Sequence, residues 1–313
     1  MNKINLQFKQ ILLGTLLFAG VSLFSGCQKD ELKTPPFNAQ RAFEEVEELV
    51  KISPRDAGTT NGWNAAQHIY HRLGSFGIEV QTDRFTDQTP DGMKEFRNVI
   101  GRIPGQTDQW ILIASHFDTM PGIPHFQGAN DSGSSTGILL ELARMSAEWF
   151  QQGVQPKKGL LFLFFDGEEG IADYKPGDGL HGSRHFAQQM KQTGEMEKID
   201  AMILLDMVGD RDLQCTIPFN SSPWLVKELL RAAHAAGTRS HFTLSRDVMI
   251  TDDHVPFIDA GVPSIDLIDF HFGSAPGLND YWHTKEDNLE HISVESLQVI
   301  GDTLVQLLSQ MIF

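Results

Sequence analysis

Two hydrophobic patterns alternate along the chain: short apolar runs, and stretches with apolar residues at helical spacing. The helical spacing predicts helices over residues 39–52, 62–73, 134–150, 180–190, 223–236, 254–260 and 294–311. The apolar runs predict strands over residues 74–85, 98–103, 110–114, 159–165, 201–205 and 264–268, with the second and third paired around Pro104-Gly105. This alternation predicts an α/β fold with a doubly wound, mostly parallel central sheet flanked by helices.

The run at residues 160–165 is apolar throughout and stops abruptly at Asp166, which Glu168 and Glu169 follow closely. Such a run is typical of a central strand that is buried on both faces. Open α/β sheets place their sites at the carboxyl ends of such strands. Adjacent carboxylates in a low dielectric repel each other unless a cation or a shared proton relieves them. The stretch therefore predicts a metal site with a carboxylate base beside it.

Other predicted strands and loops also end in groups that bind metals. The further candidates are His116, Asp118, Asp131, Asp206, Asp266 and His283. Each buried carboxylate needs a partner, and several strand ends on one sheet edge bring such groups together. Zinc accepts nitrogen and oxygen ligands and keeps one position open when it is catalytic. The set therefore favours a zinc site.

These residues resemble, in order, the metal and base positions of the M28-type zinc aminopeptidases, from about residue 39 to the end of the chain. Four blocks are more similar to the zinc-dependent glutaminyl cyclases of that superfamily. They are Phe164-Phe-Asp-Gly-Glu-Glu169, Leu204-Leu-Asp-Met-Val-Gly209, Asp252-Asp-His-Val-Pro-Phe257 and Trp282-His-Thr284. The resemblance implies an enzyme that converts N-terminal glutamine of peptides to pyroglutamate and releases ammonia.

The resemblance also implies a role for individual residues. Zinc would be bound by Asp131, Glu169 and His283, with one ion expected. Glu168 would be the general base and acid, and Asp206 and Asp252 would join it in a hydrogen-bond network. Trp282 would form a wall of the substrate pocket.

Two alternatives remain open from the residues. His116, Asp131 and Asp206 would complete a second metal site, so a two-zinc aminopeptidase is the first alternative, with Asp118 and His254 in supporting positions. The second alternative is a non-catalytic binding lipoprotein. Asp266 stands where the animal cyclases carry a His, and Tyr174 and the insertion 269–280 replace parts of their pocket, which leaves the substrate preference open.

The first residues predict a lipoprotein. Lys3 and Lys9 precede an apolar run, and Ser25-Gly26-Cys27 resembles a bacterial lipobox. We expect a signal peptide at residues 1–26, lipidation of Cys27, a polar tether at 27–38 and one catalytic domain at 39–313. The expected location is the bacterial cell envelope, on the periplasmic side of a membrane, with exposure at the cell surface as the alternative.

Composition limits the partners. The 313 residues are 41% hydrophobic and 21% charged, which is ordinary for a globular domain. The formal net charge of −16 argues against nucleic acid as a partner, because phosphate backbones attract positive surfaces. We expect a monomer that acts on peptides or proteins with N-terminal glutamine and touches a membrane only through its lipid anchor.

Overall fold

The computed structural model describes residues 36–172 and 177–313. Within them, α-helices cover α1 (Ala39–Val50), α2 (Thr60–Ser75), α3 (Ser135–Gln151), α4 (His181–Thr193), α5 (Pro223–Ala236), α6 (Val255–Asp259) and α7 (Val294–Ile312). Strands cover β1 (Glu79–Thr89), β2 (Gly92–Ile103), β3 (Trp110–His116), β4 (Gly159–Phe165), β5 (Ile199–Asp206), β6 (Cys215–Ile217), β7 (Phe242–Leu244) and β8 (Ser264–Ile268). The predicted helices and the predicted strands of the central sheet are present, with shifts at their ends.

The strands form one sheet in the order β1-β2-β4-β3-β5-β8-β6-β7. The four central strands, β4, β3, β5 and β8, are parallel to one another. The predicted mostly parallel, doubly wound α/β architecture is therefore confirmed. Because parallel strands end at the same sheet edge, the residues that follow β3, β4, β5 and β8 meet there.

Strand β4 is buried on both faces, as its apolar run predicted. Leu160, Phe162 and Phe164 pack in the core formed with α1, α2, α3, α5 and α7. Leu161, Leu163 and Phe165 point the other way, into a smaller core with Phe186 of α4 and Phe257 of α6. The two cores place helices on both sides of the sheet.

The predicted pairing of 98–103 with 110–114 is wrong. Strand β2 pairs antiparallel with β1 and with β4, while β3 lies between β4 and β5. Parallel strands need a crossover connection, and helix α3 connects β3 to β4 in this way. Strand β4 is buried along its whole length and lies between β2 and β3. A local turn at Pro104-Gly105 therefore does not make a hairpin.

The amino-terminal end of the described chain is packed against the domain. Phe37, at the end of the predicted tether, is 3% exposed and lies against Gly301 of α7. The side chain of Asn38 accepts a hydrogen bond from Arg41 N and caps α1. In residues 36–172 and 177–313, no helix is both long and apolar enough to span a membrane.

Candidate metal and catalytic centre

The carboxyl edge of the central strands carries the predicted site. His116 ends β3, Asp206 ends β5, and Glu168 and Glu169 follow β4 across a tight turn at Gly167. Gly167 has a φ of +74°, and a Cβ at this position would lie 2.4 Å from the Phe96 ring. Glycine is therefore required for the turn that carries the two glutamates into the site.

The first ligand group, here called the outer triad, consists of Asp131, Glu169 and His283. Nε2 of His283 lies 3.1 Å from Oε2 of Glu169 and 3.4 Å from Oδ2 of Asp131. One atom of each residue lies within 4.8 Å of the other two, so all three can converge on one ion. Burial alone would lower the pKa of His283, but Asp131 and Glu169 raise it to about 10.

The second group, here called the inner triad, consists of His116, Asp131 and Asp206. Nε2 of His116 lies 3.2 Å from Oδ1 of Asp131 and 3.2 Å from Oδ1 of Asp206. Asp131 thus faces a different histidine with each of its oxygens. Burial opposes protonation of His116, yet hydrogen bonds with Asp118, Asp131 and Asp206 raise its pKa well above the usual value.

The residues of the outer triad fit a catalytic zinc ion. Two carboxylates and one imidazole are the nitrogen and oxygen donors that zinc takes, and three protein ligands leave a position for substrate. The raised pKa of His283 shows that its carboxylate surroundings favour positive charge. A divalent cation would supply that charge. The inner triad has the same kinds of donor, so donor chemistry does not distinguish one ion from two.

Glu168 is 5% exposed and lies beside a group of buried acids. Burial, together with the charges of Asp252, Glu169 and Asp253, raises the pKa of Glu168 well above its usual value, against the influence of His116. Burial and nearby Asp266 and Asp206 likewise raise the pKa of Asp252. Carboxyls of this kind keep or share protons near neutral pH, which suits general acid and base catalysis.

His254 and Asp266 lie behind Asp252. Both are fully buried, and Nδ1 of His254 is 3.9 Å from Oδ2 of Asp266. The His254 ring does not cap α6, because its Nε2 is paired with the amide of Asn220 at 2.8 Å. Burial lowers the pKa of His254 to about 4, so it is a neutral neighbour of the acids.

A cavity of about 460 Å³ opens onto these residues. Its acidic side chains are Asp131, Glu168, Asp206 and Asp252. Its apolar side includes Ile250, Ile268, Phe270 and Trp282. Trp282 also stacks on His283, with ring centroids 3.9 Å apart. Polar groups that converge in an apolar cavity are typical of a small-molecule or peptide-end site.

The insertion 269–280 forms part of this cavity. Phe270 and His271 line it, and the Phe270 ring meets Trp282 edge to face with centroids 5.7 Å apart. Asp269 holds the start of the insertion by accepting hydrogen bonds from Gln214 N at 2.8 Å and His271 N at 2.9 Å. Tyr174 lies outside the described residues.

Asp118 supports the two glutamates from behind. Its carboxylate accepts a hydrogen bond from Glu168 N at 3.1 Å and another from Glu169 N at 3.2 Å. It also lies 3.5 Å from Nδ1 of His116. The sequence predicts Asp118 at or beside a metal site. In the structure it contacts the backbone of Glu169 in the outer triad and the ring of His116 in the inner triad.

Two supporting residues were missed. Asp287 accepts hydrogen bonds from Asn130 N at 2.7 Å and from Asp131 N at 3.0 Å. Arg55 is fully buried, and its guanidinium donates to Phe117 O at 2.7 Å and Gly128 O at 3.0 Å. Both hold the loops that carry His116 and Asp131. Neither follows an apolar run, so local pattern offered no signal for them.

Comparison with known proteins relates most of the chain to peptidase family M28 and to glutaminyl cyclases. The model of Peptidase family M28 matches residues 98–308. A glutaminyl-peptide cyclotransferase of Boiga irregularis is 30% identical, over 80% of this chain and 75% of its own. The crystal structure of an Acidobacteriales bacterium glutaminyl cyclase matches with a TM-score of 0.82 and 35% identity, covering 90% of this chain and 97% of its own.

A hydrolase of the same fold is also similar. The structure of a leucine aminopeptidase precursor from Bacteroides thetaiotaomicron matches with a TM-score of 0.76 and 28% identity. The match covers 88% of this chain and 97% of that one. Proteins named as glutaminyl cyclases and a protein named as an aminopeptidase therefore share this fold. The fold does not identify the reaction, which depends on the residues of the site.

Proposed function

The chain belongs to peptidase family M28 and, within it, to the glutaminyl-peptide cyclotransferases, and on this basis we propose a one-zinc mechanism in which Glu168 moves the proton. The substrate is a peptide or protein with an N-terminal glutamine. The products are the pyroglutamyl chain and ammonia. The observation that carries the proposal is that Glu168, with its raised pKa, lines the same cavity as Asp131 of the outer triad.

Asp131, Glu169 and His283 would hold the zinc. The ion, when bound, supplies a Lewis acid that polarises the γ-amide carbonyl and stabilises the oxyanion that develops on it. Asp118 and Asp287 keep the ligands in place, because both accept hydrogen bonds from the backbone of ligand residues. Such supporting contacts hold ligand orientation and tune affinity.

Glu168 would take a proton from the substrate α-amine as its nitrogen attacks Cδ of the glutamine side chain. The C–N bond of the ring forms, and the bond from Cδ to the amide nitrogen breaks. Glu168 then returns the proton to the leaving nitrogen, which departs as ammonia. One carboxyl can do both tasks only if its pKa lies near the working pH, and burial among Asp252, Glu169 and Asp253 raises it in that direction.

The attacking amine and its target belong to one molecule, so proximity supplies much of the rate. No water has to be activated. Trp282, Phe270 and Ile250 give the cavity apolar walls that orient the glutamine end and limit water beside the reacting carbonyl. Asp206 and Asp252 line the same cavity and would share protons with Glu168.

A two-zinc aminopeptidase is the second candidate. The observation that favours it is the inner triad, in which Asp131 turns one oxygen to His116 and the other to His283. With both triads loaded, Asp131 would be a ligand to both ions, and the pair would supply the activated water that a hydrolase needs. The two candidates differ in the number of ions and in the nucleophile.

The deciding experiment incubates the mature protein with a Gln-initiated peptide and a matched Leu-initiated peptide. We expect ammonia and a pyroglutamyl product from the first and no free leucine from the second. Metal analysis should give about one zinc per chain. Glu168→Gln should abolish turnover and retain the zinc. Free leucine with about two zincs would replace the cyclase by the aminopeptidase.

We also propose that the enzyme is anchored in the bacterial envelope by lipid on Cys27, as the Ser25-Gly26-Cys27 pattern predicts. Mass spectrometry of the membrane fraction should find the chain beginning at a diacylated Cys27. Cys27→Ser should move the protein into the soluble fraction. An unmodified cysteine in the native protein would contradict the anchor.

A further inference from the structure

A groove separate from the cyclase cavity lies between α2 and the β1–β2 hairpin. Its volume is about 650 Å³, larger than that of the catalytic cavity. One face of α2 supplies one wall, and alternate residues of β1 supply the other. The basic groove, as we call it, is lined by Trp63, Ala66, Gln67, Tyr70, His71, Val80, Thr82, Arg84 and Arg97.

The groove is a basic region on an acidic protein. The chain has a formal net charge of −16, yet among the described residues that line the groove none is Asp or Glu. Arg84 and Arg97 are directly opposite each other across the antiparallel β1–β2 pair. Like charges at directly opposite positions destabilise a sheet unless something neutralises them.

The two arginines differ in what neutralises them. Arg97 donates from Nε to Oε1 of Glu95 at 2.7 Å, and its Nη2 lies at the same distance from that oxygen. Arg84 is exposed and has no carboxylate partner in residues 36–172 and 177–313. Two guanidinium groups and one carboxylate leave one positive charge. Arg84 therefore presents an unpaired guanidinium to the groove.

Trp63 in the groove has an unpaired hydrogen-bond donor. The Arg97 guanidinium lies over its ring, 4.4 Å from the centroid, so the indole is held in place. Its Nε1–H is buried and finds no acceptor among the residues the structure describes. Buried donors are nearly always paired, and an unpaired one points to a ligand or a water. The indole ring itself lines the groove, so a ligand bound there would lie against Trp63.

From these observations we propose that the basic groove binds a ligand with one singly charged oxyanion next to an apolar or aromatic body. Arg84 takes the oxyanion, since guanidinium groups bind carboxylate and phosphate oxygens in a fork. Arg97, whose Nε and Nη2 are paired with Glu95, adds positive charge beside it. Ala66, Val80 and Tyr70 contact the apolar body. Both a free carboxylic acid and a phosphodiester headgroup of an anionic lipid carry this chemistry.

Nuclear magnetic resonance gives a direct test, because Trp63 has an indole N–H to observe. The resonance is assigned with Trp63→Phe, and the protein is titrated with benzoate and with neutral benzamide. We expect benzoate to move the Trp63 indole resonance saturably and benzamide not to move it. The Trp282 indole in the cyclase cavity should stay in place, and turnover of the Gln-initiated peptide should be unchanged.

Vesicles distinguish the two sources of the oxyanion. Phosphatidylcholine vesicles with and without phosphatidylglycerol are mixed with a form of the protein that lacks the lipidated Cys27. Binding only to the phosphatidylglycerol vesicles, lost with Arg84→Gln, would identify a lipid headgroup. Benzoate binding without vesicle binding would identify a soluble acid. Absence of both would overturn the proposal.

Variants test whether the arginines are responsible. Arg84→Gln should weaken benzoate binding by about tenfold or more, because a charge-assisted hydrogen bond is lost. Arg84→Lys should give an intermediate affinity. Arg231 is an exposed arginine on α5, away from the groove, and Arg231→Gln should leave benzoate binding unchanged. Equal loss with Arg231→Gln would overturn the proposal.

Thermal unfolding separates a ligand role from a structural one. Removing one of two opposed like charges should leave the Tm of Arg84→Gln unchanged or raise it. A clear fall in Tm would show that Arg84 stabilises the fold itself and would count against a binding role.

Discussion

The outer and inner triads share Asp131 and the same donor chemistry, yet their histidines differ in exposure. The His283 side chain of the outer triad is 17% exposed, while the His116 side chain of the inner triad is 1% exposed. His283 sits on a loop beside Trp282, which lines the cavity. His116 ends a central strand and is enclosed by Asp118, Asp131 and Asp206.

Under the proposed one-zinc mechanism, the acids of the inner triad need a source of positive charge other than a second ion. A buried imidazole with a raised pKa is itself a cation, so a protonated His116 can neutralise Asp131 and Asp206 without a metal ion. Asp206 of the inner triad lines the cavity, and His283 of the outer triad lies beside Trp282 of the cavity wall, so both positions are close to a bound substrate. Variants of the two triads distinguish their roles.

The largest effect is expected for His283→Ala. Loss of an outer ligand should release the zinc and reduce kcat/KM by about a thousandfold or more, since oxyanion stabilisation is lost. Zinc content by atomic emission and turnover of a Gln-initiated peptide measure both results. A variant that keeps its zinc would remove His283 from the ligand set.

A matched change in the inner triad, His116→Ala, should have a smaller effect. The zinc should stay, and activity should fall by about 10- to 100-fold, because His116 acts through its neighbours and not on the ion. Loss of one of two zincs would instead show that the inner triad holds metal. That result would favour the aminopeptidase.

Asp118→Asn tests the residue that touches both triads. Asparagine can accept only one of the two hydrogen bonds that Glu168 N and Glu169 N donate. We expect about a tenfold fall in kcat with zinc retained, because the glutamates lose their orientation. An unchanged kcat at full zinc content would show that the backbone turn alone holds them.

The smallest effect on activity is expected for Asp166→Asn. Asp166 follows the end of β4 but belongs to neither triad. Burial and the charge of Asp118 raise the pKa of Asp166 to about 8. The folded protein therefore keeps this proton while the unfolded chain loses it near pH 4, so the contribution of Asp166 to stability is lost as pH rises to about 8.

The amide cannot ionise, so this loss should be absent from the variant. Relative to the wild type, Asp166→Asn should gain up to about 1.4 kcal/mol of stability per pH unit between pH 5 and pH 8. Urea unfolding at several pH values measures it. A difference that is constant with pH would contradict the raised pKa.

The central strands and their terminal acids could be predicted because apolar runs mark them locally. The run before Asp166 identified β4, and the same pattern located His116 and Asp206. Strands were predicted over 74–85 and 98–103, but β1 continues to Thr89 and β2 begins at Gly92. The added residues were missed because this segment is mostly polar and half exposed. Strands β6 and β7 have only three residues each and leave no periodic pattern.

The supporting residues could not be predicted, for a different reason. Arg55 reaches Gly128 and Asp287 reaches Asn130, contacts that join residues 73 and 157 positions apart. Their partners are backbone groups, which every residue type presents. Local sequence pattern therefore cannot identify such contacts, although they determine where Asp131 lies.

The stack of Trp282 on His283 has an optical consequence. An excited indole loses emission to an imidazolium in contact with it, and much less to a neutral imidazole bound to zinc. The protein thus contains a fluorophore next to a proposed metal ligand. Loading the apoprotein with zinc should brighten the emission of Trp282, which would report occupancy of the site without any added label.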